Sequence, residues 1–223
     1  MMKEPRELAL PLSRCDAGRL ELGEIVTVSG RLFTGRSLFH IRGATQGIYP
    51  PLDFSKINCF FHVGPVMRRS GEDWEVISAE PTSSIRFERY SPSVIRKLGL
   101  RTIIGKTTMG PETAKALEDV GGVHLSKIGL CGNDLVSKIK AVIGVYDVDE
   151  LGKTEATWVL DVKEFGPFFV DIDAHGHNYF EEIAASTRTS LREVRRTLLG
   201  ISDEFAWTDV GPSSKPPEGI RRA

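Results

Sequence analysis

Residues 101–125 read RTIIGKTTMGPETAKALEDVGGVHL, and the class of fold is decided there. Residues 101–104 are a short apolar run ahead of Gly105, which reads as a buried strand. Pro111 suits the first turn of a helix. Ala114, Leu117 and Val120 recur at helical spacing, and Gly121-Gly122 stops that helix. Val123-His124-Leu125 opens the next strand. Strand, helix and strand in so short a span make the repeating unit of an α/β domain.

The pattern extends in both directions. Toward the N-terminus, residues 24–33 (EIVTVSGRLF) predict a strand ending at the turn Thr34-Gly35. Residues 57–67 predict one further strand and residues 74–79 another, with a polar turn between them. A helix is expected within residues 85–98, started afresh at Pro92. Toward the C-terminus, residues 133–140 predict a helix with Leu135, Val136 and Ile139 on one face, and residues 141–146, 157–162 and 168–172 predict three strands. The sum is an α/β domain with a mixed set of strands and at least three helices, not a purely doubly wound sheet. Beyond Tyr179 the character changes. Ser190-x-x-Glu193 predicts a capping box opening a helix with the stripe Leu191, Val194 and Leu198, ended by Gly200. From Gly211 the chain is rich in Pro, Gly and Ser and predicts a flexible tail. The expected boundaries are residues 1–180 for the domain and 181–223 for a helical extension and tail.

Composition narrows the classes of function. The 223 residues carry a formal net charge of −1, without the basic excess of a general nucleic-acid binder. Apolar runs reach strand length only, short of the ~20 residues of a membrane helix. Residues 1–10 carry Lys3, Glu4, Arg6 and Glu7 and no apolar core, so no secretory signal is expected. Cys15, Cys59 and Cys131 are odd in number and far apart, which fits a reducing cytoplasm and lacks the close pairs of a cluster or zinc site. No metal is expected on this chain.

Three loops combine fixed positive charge with small hydroxyl residues: Thr34-Gly35-Arg36, residues 81–86 (PTSSIR) and Gly105-Lys106-Thr107-Thr108. The planar fork of an arginine holds a carboxylate through two parallel hydrogen bonds, and lysine adds a compact point charge. Thr and Ser orient a substrate hydroxyl or a second carboxylate oxygen. Together they would suit a small dicarboxylate. On pattern alone a solvated charged surface is the better account, since the chain has 29 lysines and arginines to scatter.

Four strings, in order, change that balance. The segment TGRSLFH at 34–40 is similar to a T-A-R-D-A-A-H motif, EPTSSIR at 80–86 to G-P-T-T-S-x-R, and IIGKTTMGPE at 103–112 to an I-G-K-G segment before a helix. WVLDVKEF at 158–165, followed by VDIDAHG at 170–176, is similar to W-x-L-E-V-x-x-F and D-A-H-G-N. These are motifs of class I (iron–sulfur) fumarases and L(+)-tartrate dehydratases, in their β-subunit or C-terminal domain, and the chain resembles that family from about Leu20 to Tyr179. The resemblance implies a swivelling β/β/α domain that closes over an active site shared with a cluster-bearing α-type partner, as a heterotetramer of two of each. The four-iron, four-sulfur cluster would belong to the partner, with none bound by this chain, and one iron would act as a Lewis acid. It also implies that Arg36, Arg86 and Lys106 hold carboxylates and that Thr82 and Ser83 contact substrate near the carbon that loses its proton. Thr82 and Lys106 are the expected catalytic residues. A threonine hydroxyl is a poor base at neutral pH, so Thr82 either takes the proton with help from a charged neighbour or only orients substrate. The expected reaction is hydration of fumarate to malate in the cytoplasm, with L(+)-tartrate or a mesaconate-type diacid as the alternative.

Departures from the motifs are Ser83 for Thr, Ser37 for Asp, Thr107 for Gly, His177 for Asn, and residues 127–133 in place of a Gly/Ala-rich segment. Three competing readings are weaker. Gly105-Lys106-Thr107 lacks the upstream Gly of a phosphate loop, since Leu100 stands at that position. His175 and His177, with Asp171 and Asp173 nearby, could share a strand face, yet isolated histidines more often satisfy ordinary hydrogen bonds. His40, His62 and His124 have no ligand-like spacing, and His40 is worth watching only if it lies one helical turn from Arg36. A non-catalytic assembly module has no reason to keep Arg36, Thr82, Arg86 and Lys106 in motif context.

Overall fold

A computed structural model describes residues 4–129 and 131–199 of the chain. The elements run β1 (Arg6–Ala9), α1 (Arg14–Ala17), β2 (Ile25–Gly35), α2 (Ser37–Gln46), β3 (Cys59–His62), β4 (Val66–Ser70), β5 (Asp73–Ser78) and a 3₁₀ turn (Ser84–Phe87). They continue through α3 (Ser91–Leu98), β6 (Thr102–Gly105), α4 (Pro111–Val120), β7 (Val123–Lys127), α5 (Gly132–Val136), β8 (Ile139–Tyr146), α6 (Val148–Leu151), β9 (Thr157–Ile172) and α7 (Tyr179–Leu199). The chain divides into two units, Met1–Phe180 and Glu181–Ala223. In the second, α7 exposes Ile183, Leu191 and Val194.

Within the first unit, seven strands form a mixed sheet in the order β1-β2-β3-β6-β7-β9-β8, and β4 and β5 form a separate hairpin. The pairs β1–β2, β2–β3, β3–β6 and β6–β7 are parallel. Strand β9 is antiparallel to β7 on one side and to β2 on the other, so pairing returns to its start through β2, β3, β6, β7 and β9. Alternation along each strand then sorts side chains into two cores. Leu32, Phe61, Ile104 and Leu160 enter one with Val26, Val28, Phe168 and Trp158. Their sequence neighbours Phe33, Phe60, Ile103 and Val159 enter the other, with Val94 and Ile95 of α3 and Ala116 and Leu117 of α4. Because four of the closing strands are parallel, the loops after Gly35, His62, Gly105 and Lys127 leave the same edge of the sheet.

Local signals placed most elements where the sequence predicts them. Pro111 opens α4, and Gly121 closes it at φ 67°, a left-handed conformation that glycine adopts at little cost. The Glu88 carboxylate accepts from the Gly110 and Thr113 amides at 2.8 and 3.0 Å, capping the donors that this helix start leaves open.

Four expectations fail. The single strand at 57–67 is two, β3 and β4, because Gly64-Pro65 interrupts it: Pro65 has no amide hydrogen to pair. The helix at 133–140 stops at Val136, and Ile139 instead pairs with Val162 in β8, since a short apolar run fits either period. The two strands at 157–162 and 168–172 are the halves of β9, which carries bulges against β2 and a positive φ at Glu164 and Gly166. Ser190 starts no helix; α7 has been running since Tyr179. Leu130, Gly200 and the tail from Gly211 lie outside the described residues. Among the described residues no helix is long and apolar enough to cross a membrane.

Candidate functional site

Arg36 follows the last residue of β2 and stands at the N-cap of α2. Its stem lies on Gly64, where any Cβ would collide with Arg36 Cδ and the Thr154 carbonyl. Its Nε is 3.9 Å from Glu155 Oε1, while Glu155 Oε2 accepts from the Leu38 amide at 2.8 Å. That Nε is buried and has no hydrogen-bond partner among the described residues. Glu155 thus spends its better contact on the helix start and leaves a half-buried guanidinium only loosely paired.

Residues 82–84 run between the ends of β3 and β6. The Thr82 amide donates to the His62 carbonyl at 2.8 Å, and the Ser84 amide to the Lys106 carbonyl at 2.8 Å. Ser83 and Lys106 form a parallel bridge, and Ser83 Oγ is 3.1 Å from Thr107 Oγ1. Thr107 sits at φ 65°, a strained conformation for a β-branched residue. The loop 105–107 therefore pairs edge to edge with residues 82–84. Among the described residues no side chain hydrogen-bonds the Thr82 hydroxyl, and Thr82 is half-buried.

Lys106 is exposed, with Nζ 3.7 Å from Glu80 Oε1. The same carboxylate takes Lys127 Nζ at 2.7 Å on both oxygens, so Glu80 favours Lys127 and leaves Lys106 nearly unpaired. Arg86 is exposed on the 3₁₀ turn, its guanidinium carbon 5.5 Å from the centre of the Phe87 ring. Thr82, Ser83 and Lys106 are thus joined directly through backbone. Arg36 stands at the neighbouring strand end, since Gly35 and His62 are register partners. Arg86 reaches the group only through its place in the chain, three residues after Ser83.

Beneath this edge lies a row of buried polar groups absent from the sequence-based assignment. His40 follows Arg36 by one helical turn, and its amide donates to the Arg36 carbonyl at 3.3 Å. His40 Nε2 is 3.2 Å from His62 Nε2, and His62 Nδ1 is 2.9 Å from Ser84 Oγ. His124 Nδ1 is 2.6 Å from Asp171 Oδ1. Burial pushes the His40 imidazole down to about 3. Burial first, then the neighbouring His40 and His124, holds His62 well below the ordinary range, so both rings are neutral at physiological pH. In the sequence the row shows as a histidine closing an apolar strand in Cys-Phe-Phe-His, and as His40 one helical turn after Arg36, the position marked there as worth watching.

Of the two histidines of the zinc alternative, His177 is held to Asp173 through its ring and His175 through its backbone. Asp173 Oδ1 accepts from the His175 and His177 amides, and its Oδ2 is 2.9 Å from His177 Nδ1. Among the described residues no three His, Cys, Asp or Glu are grouped to hold a metal ion. Cys15 and Cys131 are exposed on separate elements, and Cys59 is in the core, where burial pushes its thiol up and away from the thiolate a cluster needs.

Residues 5–183 match the family model described as the fumarase C-terminus. The chain belongs to that family. Within the fumarase C-terminus group, a Methanocaldococcus jannaschii protein provisionally named an L(+)-tartrate dehydratase subunit beta is 33% identical over 186 residues, covering 82% of this chain and 95% of that protein. The L(+)-tartrate dehydratase subunit beta of Escherichia coli is 32% identical over 175 residues, covering 78% and 86%. A Geobacillus stearothermophilus protein provisionally named a class I fumarate hydratase is 35% identical over 193 residues, but this chain spans only 37% of its length. The family match stops at residue 183, so nearly all of the second unit lies beyond it.

Proposed function

We propose that this chain is the β-subunit of a heteromeric iron–sulfur hydro-lyase that reversibly adds water to fumarate to give malate. The observation that carries the reading is membership of the fumarase C-terminus family together with the meeting of Thr82, Ser83 and Lys106 at one strand edge beside Arg36. Arg36, Arg86 and Lys106 hold the two carboxylates of the diacid. Lys106 and Arg36 suit that role because neither has a tight carboxylate partner of its own, so little pairing is lost when substrate arrives. Ser83 and Thr82 orient the substrate at the carbon that gains or loses the proton. With no side chain among the described residues on the Thr82 hydroxyl, a group that takes its proton comes from elsewhere in the assembly or from solvent.

The iron–sulfur cluster belongs to an α-type partner, because the cysteines of this chain are dispersed and one is buried and protonated. When bound there it supplies Lewis acidity toward the substrate hydroxyl. Residues 1–180 act as the swivelling β/β/α domain that closes on the partner, and residues 181–223 as an extension to it. The assembly is a cytoplasmic heterotetramer of two α and two β chains. A second reading, dehydration of L(+)-tartrate to oxaloacetate, is favoured by the subunit-sized relatives, which carry that name.

The test is an anaerobic assay of this chain co-purified with the genomically adjacent α-type chain and a reconstituted cluster. Fumarate, L(+)-tartrate and mesaconate are offered in parallel. Turnover of one diacid is expected only with both chains present. Lys106→Ala or Arg86→Ala should lower kcat/KM about a hundredfold, the worth of one charge-assisted hydrogen bond, with an unchanged melting temperature. A stable complex that turns over none of the three, or an Arg86→Ala chain that unfolds, would sink the assignment of these residues to substrate.

A further inference from the structure

His62 grips the candidate site from below in two ways. Its carbonyl accepts from the Thr82 amide, and its Nδ1 meets Ser84 Oγ, while the Ser84 amide holds the Lys106 carbonyl. His62 is fully buried, as are His40, Ser84, His124 and Asp171. Phe60 and Phe87 wall the rings: Phe87 stacks on His40 at 4.4 Å and meets His62 edge-on at 5.1 Å. Gly105 opens the far side. A Cβ there would collide with Ser84 Oγ and stand 3.2 Å from His124 Nε2, so the hydroxyl and that nitrogen face the same side of one glycine.

Proton accounting gives this row a direction. His124 Nδ1 faces the Asp171 carboxylate, an acceptor, so in the neutral ring the proton lies on Nδ1 and Nε2 is left as an acceptor. That Nε2 is buried, without a partner among the described residues, and opens toward Ser84 across Gly105. If Ser84 donated to His62 Nδ1, the His62 proton would sit on Nε2 and donate to His40. The His40 proton would then be forced onto Nδ1, a buried donor with no acceptor, and two acceptors would face each other across Gly105. The opposite direction removes both conflicts and leaves His40 Nδ1 a lone pair instead of a buried donor, the cheaper defect.

We propose that His40, His62 and Ser84 form a one-way chain of hydrogen bonds, donor to acceptor in that order, whose last hydroxyl faces the open Nε2 of the Asp171-bound His124 across Gly105, and that His62 is the positioning residue through which the chain fixes Thr82, Ser83 and Lys106. The chain ties α2, which begins beside Arg36, to the end of β3 and, through the Ser84 amide, to the end of β6. Loops that leave separate strands are thereby held by one buried line. The positioning role rests on the diacid reading above; the direction of the chain does not.

The test has two arms. Long-range ¹⁵N–¹H correlation on the imidazoles of the full chain reads which ring nitrogen carries each proton. His62 and His124 are expected on Nδ1 and His40 on Nε2. Ser84→Ala is expected to shift the ring nitrogens of both His62 and His124, whose centres are 6.5 Å apart. A His62 proton on Nε2, or a His124 unmoved by Ser84→Ala, overturns the one-way chain, and the unaltered protein decides the first point even if the variant does not fold. In the co-purified complex, His62→Leu is expected to lower kcat up to about a hundredfold with KM little changed. His62→Asn, whose amide N–H can replace Nδ1–H, should recover much of that loss. Equal loss in both variants overturns the positioning role. A complex without any diacid turnover rejects the proposed function and leaves the tautomer result standing.

Discussion

Two layers of the same sheet edge follow opposite rules. The outer one, with Lys106, Arg86 and Thr82, is polar, at least partly exposed and loosely paired: Lys106 has a carboxylate oxygen no nearer than 3.7 Å. The inner one, a single residue deeper, is fully buried and tightly bonded, with contacts of 2.6 to 3.2 Å between His124 and Asp171, His62 and Ser84, and His40 and His62. A loosely paired charge is ready to take a ligand. A buried, neutral, bonded ring is suited to holding something still. Function at such an edge needs both, and mutation should separate them.

The largest effect is expected where the layers touch. Gly105→Ala puts a methyl group against Ser84 Oγ, between backbone-fixed neighbours, and should cost about 3 kcal/mol of stability as overpacking. Urea unfolding measures it, and a cost under about 0.5 kcal/mol, the range of ordinary surface changes, would show that the inner layer is not rigid. Next comes pH. His40 and His62 bind protons more weakly folded than unfolded, so their neutral forms penalise nothing above about pH 6.5. As pH falls below that value the unfolded chain is protonated first, and stability is lost, by about 1.4 kcal/mol per pH unit for His40 down toward about 3, with His62 adding a loss of the same sign. A melting series from pH 7 to 4 should show this slope, and His40→Leu should reduce it; a flat series would mean that the rings titrate normally. The smallest effect belongs to the outer layer. Glu80→Gln removes the partner of both Lys127 and Lys106 yet should change stability by under about 1 kcal/mol, since the carboxylate and Lys106 are substantially exposed. A larger change in the same urea assay would place Glu80 with the inner layer.

The same contrast governs what could be read from sequence. Residues 102–127 declare themselves because Pro111, Gly121 and two apolar runs each have one local meaning. The segment at 57–67 is misread because the local break at Gly64-Pro65 is overlooked, and that at 133–140 because the change of period at Ile139 is decided by which strand lies alongside. β1 has no signal at all: Arg-Glu-Leu-Ala looks helical and becomes a strand only by pairing with β2. The loops carrying Arg36, Thr82 and Lys106 are visible because charged and hydroxyl residues cluster after strands. The row of histidines is not, because His62 and His124 are brought together by parallel pairing of strands distant in sequence, and His40 joins them from α2.

The return of strand pairing to β2 through β9 also has a consequence for biosynthesis. β2, β3 and β6 carry the candidate loops, yet the circuit that fixes them is finished by residues 157–172, near the end of the first unit. A nascent chain that has emerged only as far as β7 presents two unsatisfied strand edges and cannot hold its loops in register. Such long-range closure is also slow. The α-type partner of the proposed function would therefore meet this surface only after translation has passed β9, so that assembly would follow folding instead of guiding it.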